Sequence, residues 1–346
     1  MKVLFYGTME WGCTCQLRME ALRSCAGHLH ALDMRLAIGE YLARSVWKRI
    51  QIRAGWSPLL RRAGKLLLRE SLCYRPDVIW VEQGSSLRRR DLEEIRRQTS
   101  AFFVHYTPDS LCAPGWKPAL RERVFAAYDL CITSKPRDMD TLRTLGAPRV
   151  MLTYQGYNPL VHRPLPLSAE DAARYGCDIA FVGQRMRDRA RSLRNLIDAV
   201  PCSIHLYGRH WERGRTGLRL GPLQRGWVAG DAYAKALSGA KICLAFLNHE
   251  VDDKCTSRVF EIPACGGFML AERTRELLEL FAEKHEADYF GDDEELCDKA
   301  RFYLAHDELR RRIARAGYAR ALGSGYSWEH RMRRCWGTIE ESAGAK

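Results

Sequence analysis

Short apolar runs that end in glycine or a polar residue alternate with amphipathic segments along nearly the whole chain, in two successive series. In the first series Lys2–Tyr6, His28–Asp33, Pro76–Glu82, Ala101–Tyr106, Tyr128–Thr133 and Val150–Thr153 read as strands. Helices are predicted between them at Gln16–Ala26, Arg90–Gln98 and Asp138–Leu145. Runs such as Val78-Ile79-Trp80-Val81 lack the alternation of a one-sided strand. They must be buried on both faces, which calls for parallel strands with helices on both sides. The chain is therefore α/β, with a doubly wound first half.

Between Tyr154 and Tyr175 the pattern gives way to Gly156, Pro159, Pro164, Pro166 and polar residues, the composition of a linker. A second α/β series follows. Cys177–Val182, Ser203–Tyr207, Ala240–Leu247 and Phe268–Ala271 read as strands, with Trp227-Val228 a further candidate. Helices are predicted at Ser192–Ala199, Asp231–Ser238, Arg258–Cys265, Thr274–Lys284, Asp293–Ala305, Glu308–Ala321 and Trp328–Glu340. A chain of 346 residues suits two domains of ordinary size. The expected division is a first Rossmann-like domain over 1–160, a second over 161–326, and a closing helix over 327–346 that crosses back to the first domain. Ligands of such sheets bind outside the carboxyl ends of the strands. Gly7–Gly12, Glu82–Gly84, His105–Asp109, Gly183 and Gly208 occupy those ends.

No run approaches the roughly 18 apolar residues that span a bilayer. The opening Met-Lys-Val-Leu-Phe-Tyr-Gly reads as a strand, not a signal peptide. Thirteen scattered cysteines, several inside predicted strands and helices, point to reduced thiols and a cytoplasmic protein. Cys13 and Cys15 have no second pair at metal-ligand spacing. The net charge of +13 is concentrated: Tyr41–Glu70 holds eight basic residues and one acid. Apolar residues recur there at helical spacing (Leu42, Val46 and Ile50, then Leu59, Leu60, Ala63, Leu66 and Leu67), with Trp47 and Trp56 among the charges. Such a surface suits the anionic inner face of a cell membrane, where the protein would sit peripherally, or a polyanionic acceptor. The other reading is a helix whose stripe packs on its own sheet while its arginines are solvated.

Several chemistries are missing their motifs. Gly7 and Gly12 do not meet the dinucleotide spacing G-x-G-x-x-G, although Asp33 stands where a ribose-binding acid would. Neither a P-loop nor a G-x-S-x-G elbow is present. Asp138-Met139-Asp140 has the letters of a metal-binding pair but falls at a helix start.

The run Asp253-Lys254-Cys255-Thr256-Ser257-Arg258-Val259-Phe260-Glu261 is a better candidate. Glu261 falls in an apolar helical segment, Val259 to Ala264, where packing gives no reason for a carboxylate. A helix start here offers Thr256 or Ser257 as cap, free N–H groups and a positive dipole end, which suit a phosphate. Arg258 and Lys254 could neutralise a diphosphate, and Glu261 could take ribose hydroxyls.

Gly183 after a strand with basic followers, Tyr207-Gly208, and Arg258-x-Phe260-Glu261-Ile262-Pro263-Ala264-Cys265-Gly266-Gly267 resemble the C-terminal half of GT-B glycosyltransferases. The nearest group is the spore-maturation-protein-like one allied to family 4 (group 1) glycosyl transferases, and the resemblance covers most of 178–335. It implies two Rossmann-like domains facing a cleft, and transfer of a hexosyl or related sugar from a UDP- or GDP-linked donor. The acceptor would be a lipid-linked or cell-envelope glycan, or a protein. Glu261 matches the second glutamate of the family's E-x7-E motif, which holds the ribose, and Asp253 falls at the first, near the donor sugar. Aspartate is one methylene shorter, a departure from the motif. Donor phosphates fall to Arg185, Arg187 or Arg189, and the base to Trp227-Val228 through backbone groups. Tyr207, Lys254, Thr256 and Ser257 complete the implied donor set. The implied reaction is retaining and needs no metal or other cofactor, and His105 would touch the donor sugar. An inverting reaction would take Glu10 or Asp109 as base. A non-catalytic sugar-nucleotide or glycan binder is the first alternative. A basic nucleic-acid-binding protein is the second, against which stands the lack of any recognised nucleic-acid module.

Overall fold

A computed structural model describes residues 1–38, 58–83, 87–111, 123–214 and 217–343. The predicted helix around Leu42–Ile50, with Trp47 and Trp56, lies outside the described residues, as does Gly84. The chain divides into two compact units, Met1–Tyr154 with Trp328–Lys346, and Gln155–Ser327.

In the first unit Lys2–Gly7 (β1), His28–Asp33 (β2), Val78–Glu82 (β3), Phe102–Thr107 (β4), Leu130–Thr133 (β5) and Val150–Leu152 (β6) form one sheet. Its order is β2-β1-β3-β4-β5-β6, and the neighbours pair in parallel. The chain leaves β1 for β2 on one side and returns to β3 on the other, so the carboxyl ends of β1 and β3 mark the switch point where such sheets take ligands. Leu4, Tyr6, Ile79, Val81 and Phe103 face the helices Pro58–Tyr74 and Arg89–Gln98, packing with Ala63, Leu67, Leu92 and Ile95. Gly64 lets the two helices close up, since a Cβ there would sit 2.4 Å from the carboxyl carbon of Asp91. The apolar stripe of the basic segment, where described, is thus spent on its own core, and its cations face outward.

The opposite face holds Phe5, Trp80 and Tyr106 in a row, with ring centroids 6.4 and 5.9 Å apart. Glu82 ends the row, 1% exposed, and accepts from Trp80 Nε1 at 3.3 Å. Arg18, from the helix Thr14–Arg23, meets it with Nε at 3.0 Å and Nη2 at 2.9 Å. The guanidinium lies between the rings of Tyr106 (4.7 Å) and Trp328 (5.0 Å), the latter from the helix Trp328–Ala343. Burial pushes the Glu82 carboxyl up while Arg18 pulls it down. The pair sits directly under the switch point, and Gly7 clears room for it: a Cβ there would meet Cys15 Sγ at 2.7 Å and Glu82 Cβ at 3.0 Å.

In the second unit Cys177–Val182 (β7), Ile204–Tyr207 (β8), Ala240–Ala245 (β9), Met269–Glu272 (β10) and Asp288–Phe290 (β11) form a parallel sheet in the order β11-β10-β9-β7-β8. Its switch point lies between β7 and β9. Ile179, Phe181, Leu206, Leu244 and Leu270 pack on Leu193 and Leu196 of the helix Arg187–Ala199 and on Leu296 and Ala300 of Asp293–Ala305. The other face carries the helices Asp231–Ser238 and Arg258–Ala264.

Two expectations need correction, and one strand escaped the reading. The stretch read wholly as linker contains the helix Ala169–Tyr175, started by a reciprocal cap between Ser168 and Asp171. Trp227 and Val228 form no strand; they follow Gly226, whose φ of 85° turns the chain out of β geometry. Strand β11 went unread because three residues are too few to show a period.

Arg18→Met leaves Glu82 buried without its counter-charge and is expected to cost about 3–5 kcal/mol in urea unfolding. Adding Glu82→Leu should recover most of that loss. A single variant no worse than the double would show that the pair does not hold the first unit together.

Candidate functional site

The helix Arg258–Ala264 determines the geometry at the second switch point. It is seven residues long and ends in two bonds that use the glycine pair: Gly266 N–H to Pro263 O (2.8 Å) and Gly267 N–H to Ile262 O (3.1 Å). Gly266 takes φ 74°, the left-handed residue such a terminus requires. This sharp stop places Glu261 inward, 2% exposed. Its Oε2 accepts from Arg258 Nη1 at 2.6 Å and from the Tyr233 hydroxyl. Its Oε1 faces His162 Nε2 at 3.9 Å. The backbone N–H of Asn158 donates to His162 Nδ1 at 2.9 Å, which leaves the proton of a neutral ring on Nε2, toward the carboxylate. Burial works to raise the Glu261 carboxyl; Arg258, His162 and Tyr233 outweigh it and hold the group below the ordinary value. Burial opposes the charge of Arg258, but Tyr233 and Glu261 keep it firmly protonated.

Arg258 points its Nε at the carbonyl of Val182, the last residue of β7, at 2.7 Å. Arg189 reaches the neighbouring strand end: its Nε and Nη2 each lie 3.2 Å from Leu247 O, just beyond β9, and its Nη1 3.2 Å from Gln184 O. Two guanidiniums are thus fixed by backbone carbonyls at the carboxyl ends of β7 and β9. Carbonyls orient a guanidinium without cancelling its charge; of the two, Arg258 is also paired with the Glu261 carboxylate. Burial, followed by the charge of Arg258, holds Arg189 below its usual value, against the opposite pull of Glu272 and Asp253. Of the other arginines after Gly183, Arg187 is exposed and Arg185 rests its Nη2 over Gly214.

The floor beside them is backbone. Gly183 N–H donates to Tyr207 O at 2.8 Å, and Gly208 N–H to Gly226 O at 2.8 Å. At Gly208, with φ 139°, a Cβ would fall 2.1 Å from Gly183 O, so only glycine allows this approach. Trp211, fully buried, donates its Nε1–H to Gly183 O at 3.2 Å. Trp227 stands 55% exposed after Gly226, with Val228 half-buried beside it.

Other members of the expected donor set are placed differently. The Tyr207 side chain is buried, its hydroxyl 3.3 Å from His205 Nδ1, and what this residue brings to Gly183 is its carbonyl. Lys254 pairs with Asp252 at 2.7 Å, and its carbonyl accepts from Thr274 Oγ1 at 2.9 Å. Ser257 Oγ accepts from Arg258 Nη1 at 2.9 Å, and the Thr256 carbonyl accepts from Val259 N–H at 3.3 Å. Neither hydroxyl caps the helix in the expected way. Asp253 is half-buried on the preceding loop, its N–H donated to Asn248 O at 3.0 Å. His162, Tyr233 and Trp211 were not foreseen, for each comes from a segment distant in sequence with no local pattern to mark it.

In the first unit the expected catalytic residues differ in burial. His105 is 1% exposed, enclosed by the rings of Phe125 and Tyr128 at 5.0 and 5.1 Å, which corrects its placement at an open strand end. Burial lowers its pKa to about 4, so the ring is neutral at pH 7. Asp109 is exposed and accepts from Gln83 Nε2 at 2.7 Å. Glu10 is exposed, and its carbonyl accepts from Cys13 N–H at 3.2 Å. Asp138 and Asp140 diverge: Asp138 is buried and accepts from Leu111 N–H at 2.8 Å, while Asp140 pairs with Arg143 at 2.7 Å.

Two pH dependences follow. Between pH 6.5 and about 4 the unfolded chain binds a proton at His105 that the folded one does not. Stability should therefore rise with pH across that window, by up to about 1.4 kcal/mol per unit. His105→Phe should flatten the slope, and an unchanged slope would refute this origin. Glu261, lowered on folding, contributes stability that is complete above its unfolded value and lost as pH falls. The deficit of Glu261→Gln relative to wild type should be largest at neutral pH and shrink in acid. A constant deficit would mean that the charge is not what matters.

Residues 185–336 match the model of a family described as glycosyl transferase-like. No curated protein sequence matches the chain. Among solved structures, sucrose-phosphate synthase from Thermosynechococcus elongatus superposes with a TM-score of 0.73 at 14% identity, covering 100% of both chains. A glycosyltransferase from Rickettsia africae gives 0.70 at 10% identity, covering 100% of this chain and 99% of its own. Anabaena HepE, solved in complex with UDP-glucose, gives 0.68 at 12% identity over 99% and 100%. The chain has the GT-B fold of two Rossmann-like units, and its residues 185–336 carry the pattern of the glycosyl transferase-like family.

Proposed function

We propose that the chain transfers a sugar from a nucleoside diphosphate sugar to an acceptor hydroxyl, without a metal and with retention at the anomeric carbon. The observation that carries this reading is the pair Arg189 and Arg258, held by carbonyls at the switch point of the second unit. Negative charge grows on the leaving diphosphate as the glycosidic bond breaks, and two fixed guanidiniums in a partly desolvated place would stabilise it. With Glu261 ionised beside Arg258 the cluster keeps a net single positive charge, part of what a divalent ion provides elsewhere. Glu261, at 2% exposure, acts on the donor chiefly by orienting Arg258. The family's ribose contact would fall to its Oε1.

Trp227, exposed beside the backbone floor of Gly183 and Gly208, is our candidate for the base, with Val228 offering backbone groups. Asp253, on the loop before the helix, is proposed to meet the donor sugar. The complex of HepE with UDP-glucose supports a uridine donor. Retention follows from the resemblance to the E-x7-E families and requires no dedicated base; in an inverting reaction Asp109 or Glu10 would serve. The acceptor is proposed to be a lipid-linked, cell-envelope or protein-borne glycan.

Enclosure of His105 and the shortened Asp253 also support a second reading, a sugar-nucleotide binder without turnover. Calorimetry with UDP and GDP tests what the two readings share. Arg189→Met should weaken nucleoside diphosphate binding at least tenfold while affecting the bare nucleoside little. Lack of binding by any nucleoside diphosphate, or equal binding by the variant, would refute both. NMR of the anomeric proton during incubation with UDP-sugars then separates them: an α-linked product from an α-linked donor supports the retaining transferase, and binding without turnover supports the binder.

A further inference from the structure

The outer face of the helix Pro58–Tyr74 carries Arg61, Arg62, Lys65 and Arg69, all exposed. Arg61, Lys65 and Arg69 recur every four residues, so their side chains rise from one face over about 12 Å of helix. Together with Leu36 and Leu66 the four cations line a groove of about 620 Å3. Leu36 is 63% exposed. Among the described residues no carboxylate pairs with Arg61, Arg62 or Lys65; only Arg69 has such a partner, Glu70 at 2.8 Å. The buried side of the helix already packs against its own sheet through Leu60, Ala63 and Leu67. Core packing therefore accounts for the apolar stripe and leaves the cations unexplained.

We propose that this groove docks the protein on a membrane by taking phosphate-bearing headgroups of anionic lipids. Charge complementarity selects an anion, and the two leucines favour one that carries an apolar part. Surfaces for single-stranded nucleic acid interleave their cations with aromatic rings for base stacking. None of the six lining residues is aromatic. The site lies wholly in the first unit and is independent of the donor-site reading, so either can fail alone.

The test is co-sedimentation with phosphatidylcholine vesicles, alone or mixed with phosphatidylglycerol. The full chain should bind only the mixed vesicles and be released by salt. Arg62→Gln combined with Lys65→Gln should lower the partition coefficient roughly thirtyfold, since each basic residue near an anionic leaflet contributes a factor of about five. Both side chains are exposed, so the circular dichroism of the double variant and its calorimetric response to UDP should match wild type. Equal recovery on both kinds of vesicle, or unchanged partition of the double variant, would overturn the proposal. So would release by inorganic phosphate beyond that caused by chloride at equal ionic strength, which would identify a free phosphate as the ligand. Tighter binding of single-stranded RNA, lost in the same variant, would overturn it in favour of a polynucleotide.

Discussion

The second unit depends on a guanidinium tied at once to a strand end and to a buried carboxylate. Arg258 donates to Val182 O at the end of β7 and to Glu261 beneath it, and Glu261 is locked by Tyr233 and flanked by His162. An isolated carboxylate in that position would take up a proton or open the core to water. A full set of donors keeps it charged, and its charge keeps Arg258 in place. The sharp stop at Gly266 and Gly267 allows the helix to be short enough for this, and helix, acid and arginine form one construction.

The first unit builds a similar arrangement from unrelated positions. Arg18 and Glu82 form a buried pair under the point where β1 and β3 part, as Arg258 and Glu261 do near β7 and β9. In both units the end of a parallel sheet leaves carbonyls and a crevice that apolar side chains cannot satisfy. The two pairs differ in what they leave available. Arg18 is enclosed by Tyr106 and Trp328 at 1% exposure, whereas the Arg258 side chain keeps 25% of its surface. The first pair is closed off on both sides, and the second keeps part of its arginine at the surface.

Much of the fold was legible because buried parallel strands leave long apolar runs, and helices between them leave a period. His28–Asp33, Asp231–Ser238 and Asp293–Ala305 fall on the bounds their sequences predict. The run around Glu261 was conspicuous as a carboxylate in apolar company, and its Arg258 does reach the carboxyl end of β7. Which arginine after Gly183 turns inward was not legible, since Arg185, Arg187 and Arg189 are alike as letters. The choice of Arg189 depends on the carbonyl of Leu247, 58 residues away. The enclosure of His105 was also hidden, because Phe125 and Tyr128 reach it from the next segment of chain.

The amino-acid sequence by itself determined two parallel doubly wound sheets, the concentration of positive charge before Glu70, and the stretch of chain at which a phosphate would be sought. Those properties are local: hydrophobic period, turn residues and charge spacing act over a few neighbours. Only the tertiary structure decided that Glu261 faces inward, that Arg189 and Arg258 meet at one switch point, and that the cations of the helix Pro58–Tyr74 are left outward by a stripe already used in the core. Each of those outcomes depends on a partner far away in the chain. No local pattern records which distant carbonyl, ring or carboxylate will be brought within 3 Å.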